Sequence, residues 1–184
     1  MTSPTAQKPK QDFPFAGLAT DGWSTETEAT ATCFCGAIQL AFATTVPGLV
    51  TSFVCHCSDC HKITASVFAS NFSVLDTHVR FLRGESNLKT FSQKTTIKRG
   101  HQMTNHFCGT CGTLMYRVGE GFPGVKIMRI GTVDDFAVME GALRPREELF
   151  VERKVGWLGD WGVEGVVGVR GMGERLEREA AEGA

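Results

Sequence analysis

Cys55-His56-Cys57-Ser58-Asp59-Cys60 sets three cysteines in a single short run. Thiolate is a soft ligand, and C-x-C-x-x-C spacing lets one tight turn aim three sulfurs at a point, as a metal site requires. Two further pairs flank the run, Cys33-Phe34-Cys35 before it and Cys108-Gly109-Thr110-Cys111 after it. Together the three clusters hold all 7 cysteines, so none is left over as neutral core. An odd number fits a closed disulfide framework poorly, and in a reducing compartment clustered cysteines read as metal ligands or redox groups.

Seven sulfurs divide naturally as four plus three. A closed structural zinc site takes four ligands, whereas a catalytic one takes three and keeps a position for water or substrate. Cys33, Cys35, Cys108 and Cys111 supply the four, tying the start of a sheet to a segment far along the chain, and the binding energy of such a tie becomes folding energy. Cys55, Cys57 and Cys60 supply the three. Two zinc ions per chain are expected on this division. Spacing alone leaves a rival open, in which the central run recruits one outer cysteine. A redox role for Cys108-x-x-Cys111 lacks the βαβ context of a thioredoxin-like motif, and thiols buried as small hydrophobes do not cluster in this way.

Zinc on three thiolates carries a single negative charge and one exchangeable position. A thiol arriving there loses its proton to the metal's charge and becomes a better nucleophile. Lys62 and the group Lys94, Lys98 and Arg99 could attract an anionic thiol such as glutathione, against the ordinary alternative of a solvated loop. His56 lies between two ligands and can orient them. For His56, His61, His101 and His106 a satisfied structural role outweighs catalysis, and His78 reads as strand surface. Asp134-Asp135 reads as a strand-end turn, not as an acid–base pair.

The elements that must carry these residues read as strands. Ile38, Leu40 and Phe42 alternate with Gln39 and Ala41, and Leu49 to Val54 runs into the central cluster. Further strands are expected over 66–72, 79–81, 88–91, 102–107, 112–118 and 125–132, separated by Gly- and Pro-containing turns. Gly36, directly after Cys35, suits a zinc knuckle that needs a residue without Cβ. Short strands with few helical patterns give a mainly β fold, with one domain over residues 29–158. Residues 1–28 form a polar tail that Phe13, Phe15 and Trp23 could pin to the domain. Residues 159–184 form a Gly- and charge-rich tail with a possible short helix over Gly173 to Ala180.

The chain has 184 residues, a formal net charge of −1 and a sequence pI of about 6.5, so it lacks the basic signature of a nucleic-acid binder. No stretch is apolar for long enough to span a bilayer, and the first fifteen residues lack a signal peptide's apolar core, so a cytoplasmic location is expected.

In these residues the chain resembles the glutathione-dependent formaldehyde-activating enzyme family, which includes centromere protein V. The resemblance rests on Cys33-x-Cys35-Gly36-Ala37, the run Cys55 to Lys62, Phe107-Cys108-Gly109-Thr110-Cys111-Gly112-Thr113, Gly131-Thr132-Val133-Asp134-Asp135 and a late Trp157. It implies several coiled β-sheets around zinc, a structural zinc on Cys33, Cys35, Cys108 and Cys111, and a catalytic zinc on Cys55, Cys57 and Cys60. The activity it implies is a carbon–sulfur lyase reaction written in reverse, formaldehyde condensing with glutathione as co-substrate. The chain departs from the family at Glu148-Leu149-Phe150-Val151, where His-Ile-Phe-Val is common, and at Ile63-Thr64-Ala65-Ser66, which lacks a glycine often found there. Two alternatives stand beside the lyase. One is a glutathione-independent zinc Lewis-acid enzyme acting on a small metabolite; the other is a non-catalytic zinc module for a protein partner, closed by a fourth ligand such as His61.

Overall fold

The computed structural model describes residues 17–97, 99–159, 165–172 and 174–175. It is a mainly β single domain of two open sheets. In the smaller sheet β2 (Gln39–Ala43) lies between β1 (Glu28–Thr32) and β5 (Val79–Arg83), all antiparallel. Among the described residues the larger sheet has nine strands. Its antiparallel part contains β3 (Leu49–Cys55), β4 (Ala69–Leu75), β9 (Val125–Arg129), β8 (Leu114–Gly119), β7 (Met103–Cys108) and β6 (Leu88–Gln93), in that spatial order. On the other side of β3 lie β10 (Glu147–Leu149), β11 (Val167–Arg170) and β12 (Glu174–Arg175). β10 runs parallel to both β3 and β11.

The register explains how one sheet serves both a core and a site. Phe72, Met128 and Tyr116 are direct neighbours across β4, β9 and β8, and all three are buried in the main apolar cluster with Phe42, Leu40 and Ile38. Side chains alternate along a strand, so Asn71, Arg129 and Arg117, one residue out of phase, point to the opposite face. That face meets the second cluster, where Cys55, Cys60, Ala69 and Leu149 pack together with Phe53 and Phe150.

Several elements depart from the expected pattern. β1 falls at the boundary drawn for the polar tail, because Glu28-Ala29-Thr30-Ala31-Thr32 carries small residues buried on both faces and shows no alternation of large apolar side chains. Gln39, polar in an alternating run, is nonetheless buried; its amide donates to Thr32 Oγ1 at 3.0 Å and its carbonyl accepts from Arg83 at 3.1 Å. Trp23 exchanges hydrogen bonds with Thr30, while Phe13 and Phe15 lie outside the described residues. Of the helix anticipated at the C-terminal end, Glu174–Arg175 form β12 instead, since antiparallel pairing with β11 satisfies their backbone; positions 173 and 176–180 lie outside the described residues.

The largest addition is α1 (Ser58–Thr64), a two-turn helix where a turn was expected. It ends on Ala65 in the left-handed region, φ 50°, the conformation that favours glycine. Ala65→Gly is therefore expected to raise stability by about 0.5–1 kcal/mol, read as a higher urea midpoint at unchanged slope.

Candidate metal centres

The first centre is built from two matching turns. Cys33 follows β1 and Cys35 precedes β2; Cys108 ends β7 and Cys111 precedes β8. Gly36 and Gly112 each follow the second cysteine of their pair at positive φ, and their N–H groups donate to the carbonyls of Cys33 and Cys108, both at 2.9 Å. The turns are also joined to each other, since Thr113 Oγ1 accepts from Phe34 N at 3.1 Å and lies 3.2 Å from Cys111 Sγ. The four sulfurs lie within 4.8 Å of one another, with Cys33–Cys35 at 3.6 Å and Cys35–Cys108 at 3.8 Å. Zinc with four sulfurs at about 2.3 Å sets neighbouring sulfurs about 3.8 Å apart, whereas a disulfide needs about 2 Å. The tetrad thus fits a tetrahedral soft metal and bridges the two sheets. Burial pushes the Cys33 thiol up to about 12. Burial also opposes ionisation of Cys111, but hydrogen bonds from Thr113 bring it down to about 6.

The second centre joins three kinds of local structure within six residues. Cys55 is the last residue of β3, Cys57 is the N-cap of α1, and Cys60 lies in its first turn. The cap explains the spacing: Cys57 Sγ accepts the N–H of Cys60 at 3.4 Å, which turns the chain so that both sulfurs meet that of Cys55. Among the described residues no fourth His, Cys, Asp or Glu joins this trio. Thiol hydrogen bonds from Cys55 and Cys60 hold Cys57 low, at about 2, and the same contacts drive Cys55 strongly upward. The trio also fits a soft cation, and all seven cysteines are free thiols.

The histidines and basic residues separate in space. His56 is fully buried, and its Nε2 lies 2.8 Å from Glu148 Oε1, which also receives Lys154 Nζ at 2.9 Å. His61 is partly buried and its side chain does not join the trio. His106 stacks on Tyr116 with ring centroids 4.4 Å apart, and His78 and His101 are exposed. Lys62, Lys94 and Arg99 are exposed, and Lys98 lies outside the described residues. Asp134 accepts from Thr32 Oγ1 at 2.7 Å and Asp135 caps the short helix α2 (Phe136–Glu140), so both carboxylates serve the fold.

The sequence reading assigned no role to four side chains near the trio. Arg117 and Arg129 are buried on its side of the sheet, Asn71 holds Arg129, and Glu148 anchors His56. The segment carrying Glu148 wraps the trio: Leu149 O accepts from His56 N at 3.0 Å, Phe150 adopts φ 58°, and Arg153 Nη1 donates to Ser58 Oγ at 2.6 Å. Only the departure of Glu148-Leu149-Phe150-Val151 from the family's usual residues pointed toward this segment. Glu148→Leu removes the acceptor shared by an imidazole and an ammonium, both largely buried. An expected loss of about 3 kcal/mol should appear in urea unfolding, with a smaller loss for Glu148→Gln.

Two sulfur clusters that could each hold a soft metal ion, carried on open β-sheets, define a cysteine-rich β domain. More narrowly, the chain belongs to the glutathione-dependent formaldehyde-activating enzyme family, whose pattern matches residues 28–153. No curated protein matches the chain. Among solved structures it is similar to a crystal structure of a Rhodobacter sphaeroides protein, at 22% identity over 56% of this chain and 85% of that one, with a TM-score of 0.44. No described helix is long and apolar enough to cross a membrane.

Proposed function

We propose that the chain is a zinc-dependent carbon–sulfur lyase of the glutathione type. Run in the synthetic direction, it joins a thiol to the carbonyl carbon of a small aldehyde. The carbon–sulfur bond forms, the carbonyl π bond opens, and the thiol proton ends on the former carbonyl oxygen. The observation that carries this reading is the trio with no fourth protein ligand among the described residues, beside a tetrad that has four. Zinc held by Cys55, Cys57 and Cys60 would supply the Lewis acidity that favours the thiolate form of an incoming thiol. Cys33, Cys35, Cys108 and Cys111 would hold a second zinc for structure alone.

In this reading the chain's own residues fix the trio. The Cys57 cap on α1 sets two sulfurs relative to each other, and the Glu148–His56 contact anchors the residue between Cys55 and Cys57. A location in the cytoplasm, with its reduced glutathione, agrees with the free thiols. A glutathione-independent reaction is the second reading. It is favoured by Glu148, because the departure from the family's usual His touches His56 inside the cysteine run itself.

Two measurements test the proposal. Elemental analysis of the purified chain should give about two zincs per chain, the number the sulfur count implies. Loss of free formaldehyde should accelerate only when both protein and glutathione are present. An equal rate without glutathione favours the second reading, and no rate with any aldehyde counts against an enzyme of this type.

A further inference from the structure

Arg117 and Arg129 have no part in the chemistry above, yet they are the most deeply buried charges beside the trio, at 7% and 6% exposure. They come from adjacent strands, and alternation puts them on the same face. Arg117 Nη1 donates to Cys60 Sγ at 3.7 Å, and Arg129 Nη1 donates to Asn71 Oδ1. Three donors remain: Arg117 Nε, Arg129 Nε and Arg129 Nη2 are buried without a hydrogen-bond partner. No carboxylate among the described residues forms an ion pair with either arginine. Cys60 attracts Arg129 more strongly than Arg117 repels it, so the arginine pair faces the sulfur trio.

Buried charge is costly unless paired, and buried donors cost free energy unless bonded. The unbonded atoms identify the acceptor that would satisfy them, because Nε–H and Nη2–H of Arg129 point the same way and form the fork that meets both oxygens of a carboxylate. We infer that Arg129, through its Nε/Nη2 fork and with Arg117 Nε beside it, receives the carboxylate of a small anionic substrate at the three-cysteine centre. This rests on the proposed reading of that centre as a substrate site. Two oxygens in one plane match the fork, and a carboxylate brings less charge to desolvate than a phosphate, which carries roughly −1.5 to −2. The arginines are specificity residues here, setting which molecule is held and not performing the carbon–sulfur step.

The test is calorimetric titration of the zinc-loaded full chain at constant ionic strength with acetate, neutral acetamide and inorganic phosphate. Acetate should bind, acetamide should not, and phosphate should bind at least tenfold more weakly. Arg129→Met should weaken acetate binding at least tenfold at unchanged zinc content. Arg129→Lys guards against misfolding; it keeps the charge, removes the fork and should lose nearly as much. Equal binding of acetate and acetamide, phosphate binding as tight as acetate, or unchanged acetate affinity in Arg129→Lys would overturn the inference. Acetate binding that is lost in Arg129→Lys, in a protein without thiol–aldehyde turnover, upholds the inference and sinks the lyase reading. Turnover with acetate affinity unchanged in Arg129→Lys does the reverse.

Discussion

Cys108→Ser is expected to leave the chain unable to hold its native fold, with aggregation or a loss of the cooperative melt near room temperature. Cys108 is buried at 1% exposure and ends β7, so its sulfur ties the larger sheet to the turn between β1 and β2. Asn87 Nδ2 also points at it from 3.5 Å. A structural zinc contributes an apparent ~10–16 kcal/mol in small zinc domains, comparable to the whole net stability of about 5–15 kcal/mol of an ordinary domain. Losing one of four ligands should therefore cost on the order of 5 kcal/mol or more. Serine keeps the size of the side chain but presents a hard, protonated oxygen to a soft cation. Circular dichroism with thermal melting and zinc analysis read the outcome directly. A well-folded Cys108→Ser protein that still carries two zincs would refute a structural tetrad.

Cys57→Ser is expected to do the opposite, abolishing turnover while the fold survives. Its sulfur belongs to the trio, and even residues that merely support a metal ligand cost about 10–100-fold in affinity or activity when lost. A ligand itself should exceed that, so a fall of more than ~100-fold in formaldehyde–glutathione turnover is expected, with one zinc retained. Folding should survive because Cys57 is also the N-cap of α1 and serine is among the best N-cap residues. The hydroxyl can take over the hydrogen bond from Cys60 N. A melting temperature within a few degrees of the parent is the expected reading. Equal unfolding of the Cys57 and Cys108 variants would dissolve the division of labour between the two centres.

Much of this was legible in the chain before folding is considered. The cysteines announce themselves because a C-x-C or C-x-x-C turn is local: ligand type, spacing and the following glycine all fall within a few residues. Strands such as β2, β3 and β8 were visible through short-range patterning for the same reason. α1 was missed because its seven residues, Ser58–Thr64, bury only Cys60 and show no apolar stripe. β10 and β11 were missed because three- and four-residue strands carry too few positions for an alternation to register.

By itself the sequence determined that this is a mainly β protein with two cysteine clusters that could each hold a metal ion, and which local turns present the sulfurs. Only the tertiary structure decided what surrounds them. Arg117 reaches Cys60 across 57 positions, Arg129 reaches Asn71 across 58, and Glu148 reaches His56 across 92. An arginine in a strand reads as surface, since charge is normally solvated, and nothing local distinguishes one that pairing across β4, β9 and β8 will enclose. Ligand identity is written in neighbouring residues, whereas the charge and hydrogen-bond environment that selects a substrate arises from contacts that exist only once distant strands are in register.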